Sequence, residues 1–254
     1  MAPPVHREVP VPRSGDSAHD FELSLMGAFR LHEGAVPILL AGGSQRLVAF
    51  LALQSRPMTR AATAGALWPD VSDAQAHASL RSAIWRLDKI TRDAMKVDVL
   101  ELELELADSV TIDLDDSRAL ARRLLIVDTL PSDADMTSEA IEALSSDLLP
   151  DWYEDWVVIE AEDWRQLRLH ALEALSDALT QVGRFADAIQ AARAAIKADP
   201  LRESAQAALI RVHLAEGNQS EALAVFERYR TLLFKELGLQ PTPRLVTLMG
   251  ELHP

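Results

Sequence analysis

Residues 183–200, GRFADAIQAARAAIKADP, return in pattern at residues 217–234, GNQSEALAVFERYRTLLF, at an offset of 34. Gly183 aligns with Gly217, Ala188 with Ala222, Ile189 with Leu223 and Ala192 with Phe226. A period of this length accommodates two helices and their turns. Such a pair buries its apolar face only by stacking on its neighbours, with glycine at the turn and small residues where the helices cross. Pro200 and the run Pro241-Thr242-Pro243 punctuate the pairs. Trp156 to Gln181 reads as one long helix stopped at Gly183, and Pro243 to Leu252 as a closing helix. Further upstream, SRALARRLLIV sets Leu120, Leu124 and Leu125 on one face. Helical signal resumes near Glu139 after the polar loop DTLPSDADMTSE and ends at Leu149-Pro150. Residues 113–254 are therefore expected to form an all-α repeat domain.

Residues 21–112 follow another plan. The stretch 21–40 alternates apolar and polar residues around His32-Glu33-Gly34, as two or three short antiparallel strands do. Gly42-Gly43 breaks the chain, and GGSQRL lacks the lysine of a phosphate loop. Ser44 caps a helix to about Ser55, and Thr59 caps a shorter one that Pro69 stops after Leu67-Trp68. Ser72 with Gln75 forms a capping box for a third helix, Ala74 to Ile90. At 100° per residue this helix has Ala76, Leu80, Ala83, Ile84, Leu87 and Ile90 on one side. The other side carries Gln75, Ala78, Ser82, Trp85 and Lys89, flanked by Arg81 and Arg86. Residues 97–112 read as a hairpin turning near Ala107-Asp108-Ser109. Strands, helix, short helix, longer helix and hairpin are the order of a winged helix-turn-helix, whose third helix enters the major groove of DNA.

The run LWPDVSDAQAHASLRSAIWRLDKI resembles the DNA-binding domain of the Streptomyces antibiotic regulatory protein type. Leu67-Trp68-Pro69, Ala78-Ser79-Leu80-Arg81 and Trp85-Arg86-Leu87 carry the likeness. PLRESAQAALIRVHLAEGNQSEAL and ELGLQPTPRL resemble the bacterial transcriptional activation domain that accompanies it, a tetratricopeptide-like helical repeat. The resemblance covers about residues 22 to 253. It implies a sequence-specific activator acting on direct-repeat promoter sites, with RNA polymerase as partner and room for a homo-oligomer on DNA. One departure concerns the wing, where Glu101, Glu103 and Glu105 share a strand face that phosphates would repel.

Charge is distributed as such a protein requires. The net charge of −14 hides a segment, 44–96, with eight basic and four acidic residues. The segment 97–163 has three basic and twenty acidic. Arg81, Arg86 and Lys89 are the expected phosphate contacts, with Arg46, Arg60 and Arg92 behind them and Ser82 and Gln75 near base edges. Trp85 is expected to pack on the wing or the second domain. Trp152, Tyr153, Trp156 and Trp164 are expected in the core or a domain interface. His170 and His213 are expected to be structural.

An enzyme finds no footing, since the chain has no cysteine, no GxSxG elbow and no dinucleotide fingerprint. No cofactor or metal is expected, because the seven histidines show no ligand spacing and Asp113-Leu114-Asp115-Asp116 lacks the glycine of a calcium loop. The proline-rich residues 1–20 read as a disordered tail without the apolar core of a signal peptide, so a cytoplasmic protein with no membrane partner is expected. The rival reading is a repeat scaffold that no longer binds DNA and mediates protein–protein interaction.

Overall fold

The structure is a computed structural model describing residues 21–54, 56–87, 91, 95–97, 103–106, 110–126 and 130–250. The expected tail, Lys89, Arg92, Glu101 and the turn Ala107-Asp108-Ser109 lie outside the described residues.

The first half is a winged helix-turn-helix. Strands β1 (Phe21–Ser24), β2 (Arg30–Glu33) and β3 (Val36–Pro37) form the expected antiparallel meander. Helices α1 (Gly42–Ala52), α2 (Arg60–Leu67) and α3 (Asp73–Trp85) follow. A second sheet orders β4 (Met58–Thr59), β6 (Glu103–Leu106) and β5 (Met95–Val97) as neighbours, with β6 in the middle. The caps of α2 and α3 are as read: Thr59 Oγ1 accepts from Ala62 N–H, and Ser72 N–H and Oγ both donate to Gln75 Oε1 at 3.4 and 3.2 Å.

Three expectations are corrected. Ser44 does not cap α1. The helix starts three residues earlier, after Ala41, and the Ser44 hydroxyl is buried and donates across to Ala83 O of α3 at 2.8 Å. Helix α3 ends at Trp85, short of Ile90, where Arg86 N–H closes the last turn on Ser82 O. The hairpin does not run to residue 112. It pairs Met95 to Val97 with Leu106 to Leu104, while β7 (Val110–Ile112) leaves the wing and runs parallel to β1. Leu23 and Phe21 are buried core residues of β1, and β7 completes the edge of their sheet.

The second half is all-α: α4 (Asp113–Leu124), α5 (Ser138–Ser145), α6 (Asp155–Gln181), α7 (Phe185–Ala198), α8 (Glu203–Glu216), α9 (Gln219–Leu237) and α10 (Pro243–Gly250). Helix α5 stops at Ser145, four residues before the expected end, and Leu148 bridges back to Met26 instead. The 34-residue repeat is visible in the turns. Gly183 and Gly217 have φ of 77° and 87°. Arg184 N–H bonds Leu179 O, and 34 residues later Asn218 N–H bonds His213 O. Glycine is used because an L side chain at this φ would be strained. The alanines at the crossings, Ala188, Ala191, Ala192, Ala205, Ala208 and Ala222, are all fully buried.

The two halves share one core. Phe29 stacks on Trp152 at 6.0 Å, Phe50 meets Trp156 edge-on at 5.3 Å, and Trp152 meets Trp156 at 6.1 Å. Asp113 sits at the junction, its carboxylate accepting Leu25 N–H at 2.8 Å and Met26 N–H at 3.2 Å. Leu149, at a φ of 40°, donates its N–H to Leu25 O and takes Trp152 N–H on its carbonyl. Trp164 is buried with its Nε1–H on Ser146 O, whereas Tyr153 is exposed, against expectation. No described helix is long and apolar enough to cross a membrane.

Candidate nucleic-acid interface

Helix α3 is held from behind. Ala76, Leu80 and Ala83 are buried, and Leu87 just past the helix is buried with them. The buried face consists largely of alanines, which lets α1 approach closely enough for the Ser44–Ala83 bond. Away from it, Ala74, Gln75, Ala78, Arg81, Ser82, Trp85 and Arg86 are exposed. Neither Arg81 nor Arg86 has an ion-pair or hydrogen-bond partner among the described residues. The face therefore has small residues along its centre and cations at its flanks. Gln75 is exposed, but its Oε1 is occupied by Ser72, which leaves only its amide N–H groups for another partner.

The remaining candidates are arranged differently. Arg46 lies on α1, half-buried. One Nη donates to Leu67 O at 2.7 Å and Nε stands 3.0 Å from Glu154 Oε1. That guanidinium ties α1 to α2 and to the segment before α6, so it is not grouped with Arg81 and Arg86. Arg60, the first residue of α2, is half-buried, with its Nε buried and unbonded among the described residues. Lys89 and Arg92 fall outside the described residues.

Among the described residues Trp85 packs on neither the wing nor the helical domain: it is 79% exposed, on the last turn of α3. The sequence signal for this exposure is the place of Trp85 on the polar face of α3, away from Leu80.

The acidic wing face has a partial structural answer. Leu104 is fully buried and Leu106 packs on the core, so alternation puts Glu105 on the opposite side of β6. The register places Lys96 directly across from Glu105. Glu105 also lines a cleft of about 620 Å3 together with Arg56, Asp115, Arg118 and Arg122. Burial in this cleft raises the Asp115 carboxyl above its ordinary value, against the lowering pull of Arg118.

Among the described residues no group of histidine and carboxylate side chains could hold a metal ion. His213 is buried in α8, its imidazole held below the ordinary value by that burial. His170 lies at the surface beside Arg202 at 3.1 Å.

Comparison with known proteins places this architecture. The model of the bacterial transcriptional activator domain matches residues 112–253. Regulatory protein AfsR of Streptomyces griseus is 30% identical over 259 residues, covering 96% of this chain and 25% of that protein. AfsR of Streptomyces coelicolor is 30% identical over 225 residues, covering 82% and 22%. The chain thus spans about a quarter of the length of these relatives. Mycobacterium tuberculosis EmbR, solved in complex with a low-affinity phosphopeptide, superposes with a TM-score of 0.70 at 22% identity, covering 91% of this chain and 64% of that one. It shares the fold.

Proposed function

Since this chain belongs to the bacterial transcriptional activator domain family and is a regulator of the Streptomyces antibiotic regulatory protein type, we propose that it binds promoter DNA sequence-specifically through α3. The family is one of transcription regulators, not an enzyme class. Arg81 and Arg86 take phosphates on either side of the major groove, and Ser82 and the Gln75 amide reach base edges. The observation that carries this reading is the outward face of α3, small-centred and cation-flanked, with both guanidinium groups unpaired among the described residues. The helical domain supplies protein contacts, and RNA polymerase is the partner that activation requires.

Two structural facts support a rigid coupling of these roles. Helix α1 grips α3 through Ser44 and grips the helical domain through Arg46 and Phe50. A protein contact on the helical domain is thereby held at a fixed place relative to the DNA.

The test is selection of genomic fragments of the source organism by the full chain, followed by mobility shifts across a salt series. The expected result is a small set of retained upstream regions. Log affinity should fall against log salt with a slope of about −3 per protomer, as three or four phosphates neutralised by Arg81, Arg86, Lys89 and Arg92 require. Retention of no fragment at moderate salt would instead establish the scaffold reading.

A further inference from the structure

Trp85 is the one exposed tryptophan of the five in the chain. Trp164 is buried, and Trp68, Trp152 and Trp156 are half-buried. On the helical wheel Trp85 lies about 20° from Ala78, about 40° from Arg81 and about 60° from Ser82. Arg86 follows it directly. A large apolar ring thus stands beside the small residues at the centre of the face, and a guanidinium unpaired among the described residues stands on either flank.

An apolar pocket on a protein would satisfy the indole but would also have to bring carboxylates to both flanks. A DNA duplex offers both kinds of partner in fixed relation. Its phosphates line the groove edges, and the 5-methyl group of thymine is the apolar feature of the major-groove floor. The indole Nε1–H can only donate. Thymine O4 next to the methyl group can accept it, whereas the N4 amine of cytosine is itself a donor.

We propose that Trp85 is a specificity-determining residue whose indole packs on the 5-methyl group of a thymine, so that the protein selects thymine over cytosine at one position of its site. This rests on the DNA-binding reading of α3 and adds to it the chemistry of one base.

The test begins with selection of a consensus by the full chain from a pool of random-sequence duplexes. Each thymine of the consensus is then replaced in turn by deoxyuridine, which lacks only the methyl group. At one position the replacement should weaken wild-type binding about fourfold, the equivalent of about 0.8 kcal/mol for one buried methyl. In Trp85→Ala the same replacement should change nothing, and the preference for thymine over cytosine should flatten at that position alone. Trp85→Phe should keep the discrimination. Because the change that is read lies in the DNA, a loss of stability in a variant cannot imitate it. The inference is overturned if Trp85→Ala selects the same consensus, or still discriminates thymine from deoxyuridine; the DNA-binding reading survives that result. If the full chain enriches no sequence, that reading falls as well, a separate outcome.

Discussion

Arg81 on α3 and Arg165 on α6 are the same side chain on helices of the same hand, and they are used in opposite ways. Arg165 grips both oxygens of Glu162 at 2.8 and 2.9 Å and reaches Asp199 at 3.1 Å. Its neighbours in the helical domain behave alike: Arg202 pairs with Glu173 at 2.6 Å, Arg211 with Asp177 at 2.9 Å, and the buried Arg168 with Asp147. Arg81 and Arg86 bond to nothing among the described residues. In the repeat domain arginine stitches one helix to the next. On α3 it is left over among the described residues, and a cation without a partner there can meet an anion from outside. A count of basic residues overstates a DNA footprint, since Arg46 lies in the same basic segment yet belongs to the stitching set.

The contrast can be broken by substitution. The largest effect should come from Arg81→Ala with Arg86→Ala, which should lower affinity for the selected DNA about 100-fold while unfolding stability stays within about 0.5 kcal/mol of wild type. A mobility shift paired with urea denaturation reads both quantities, and a double variant that binds normally would remove α3 from the interface. Arg168→Ala should do the reverse. It strips partners from the Leu144 and Ser145 carbonyls and from Asp147. The expected cost is about 2 kcal/mol of stability, below the range for fully buried pairs because Asp147 faces water, with DNA affinity unchanged below the transition.

Arg46→Ala decides to which set that residue belongs. As a stitch it should cost about 1 kcal/mol of stability and change DNA affinity by less than about twofold. A large loss of affinity at unchanged stability would move α1 to the DNA side of the comparison. The smallest effect is a titration. The paired hydrogen bonds from Arg165, and then that from Gln166, hold Glu162 down at about 2. A carboxyl depressed in the folded state contributes stability that is present above its ordinary value and is lost as pH falls through about 2. In Arg165→Ala, nuclear magnetic resonance should find Glu162 titrating most of the way back toward the ordinary value of 4.5.

Local chemistry made much of this fold legible in the sequence. The order of strands and helices, the caps at Thr59 and Ser72 and the repeated glycines at 183 and 217 all follow from turn and capping rules that act over a few residues. The misreadings were of another kind. Ser44 looked like a cap because Gly42-Gly43 looked like a break, but its hydroxyl had a partner 39 residues away. Val110 to Ile112 looked like a wing strand because it followed one, yet it pairs with β1. Trp85 looked like a residue in search of a core and has none.

Periodicity along the chain was enough to determine that this protein has a winged helix-turn-helix followed by stacked helix pairs, because an amphipathic face is set by residues three and four apart. Which arginine stays unbonded was decided only in three dimensions. An ion pair such as Arg211 with Asp177, or Arg46 with Glu154, joins positions that no local pattern connects. A cation's availability depends on which carboxylates the folded chain brings within reach, and that geometry exists only once the helices have packed.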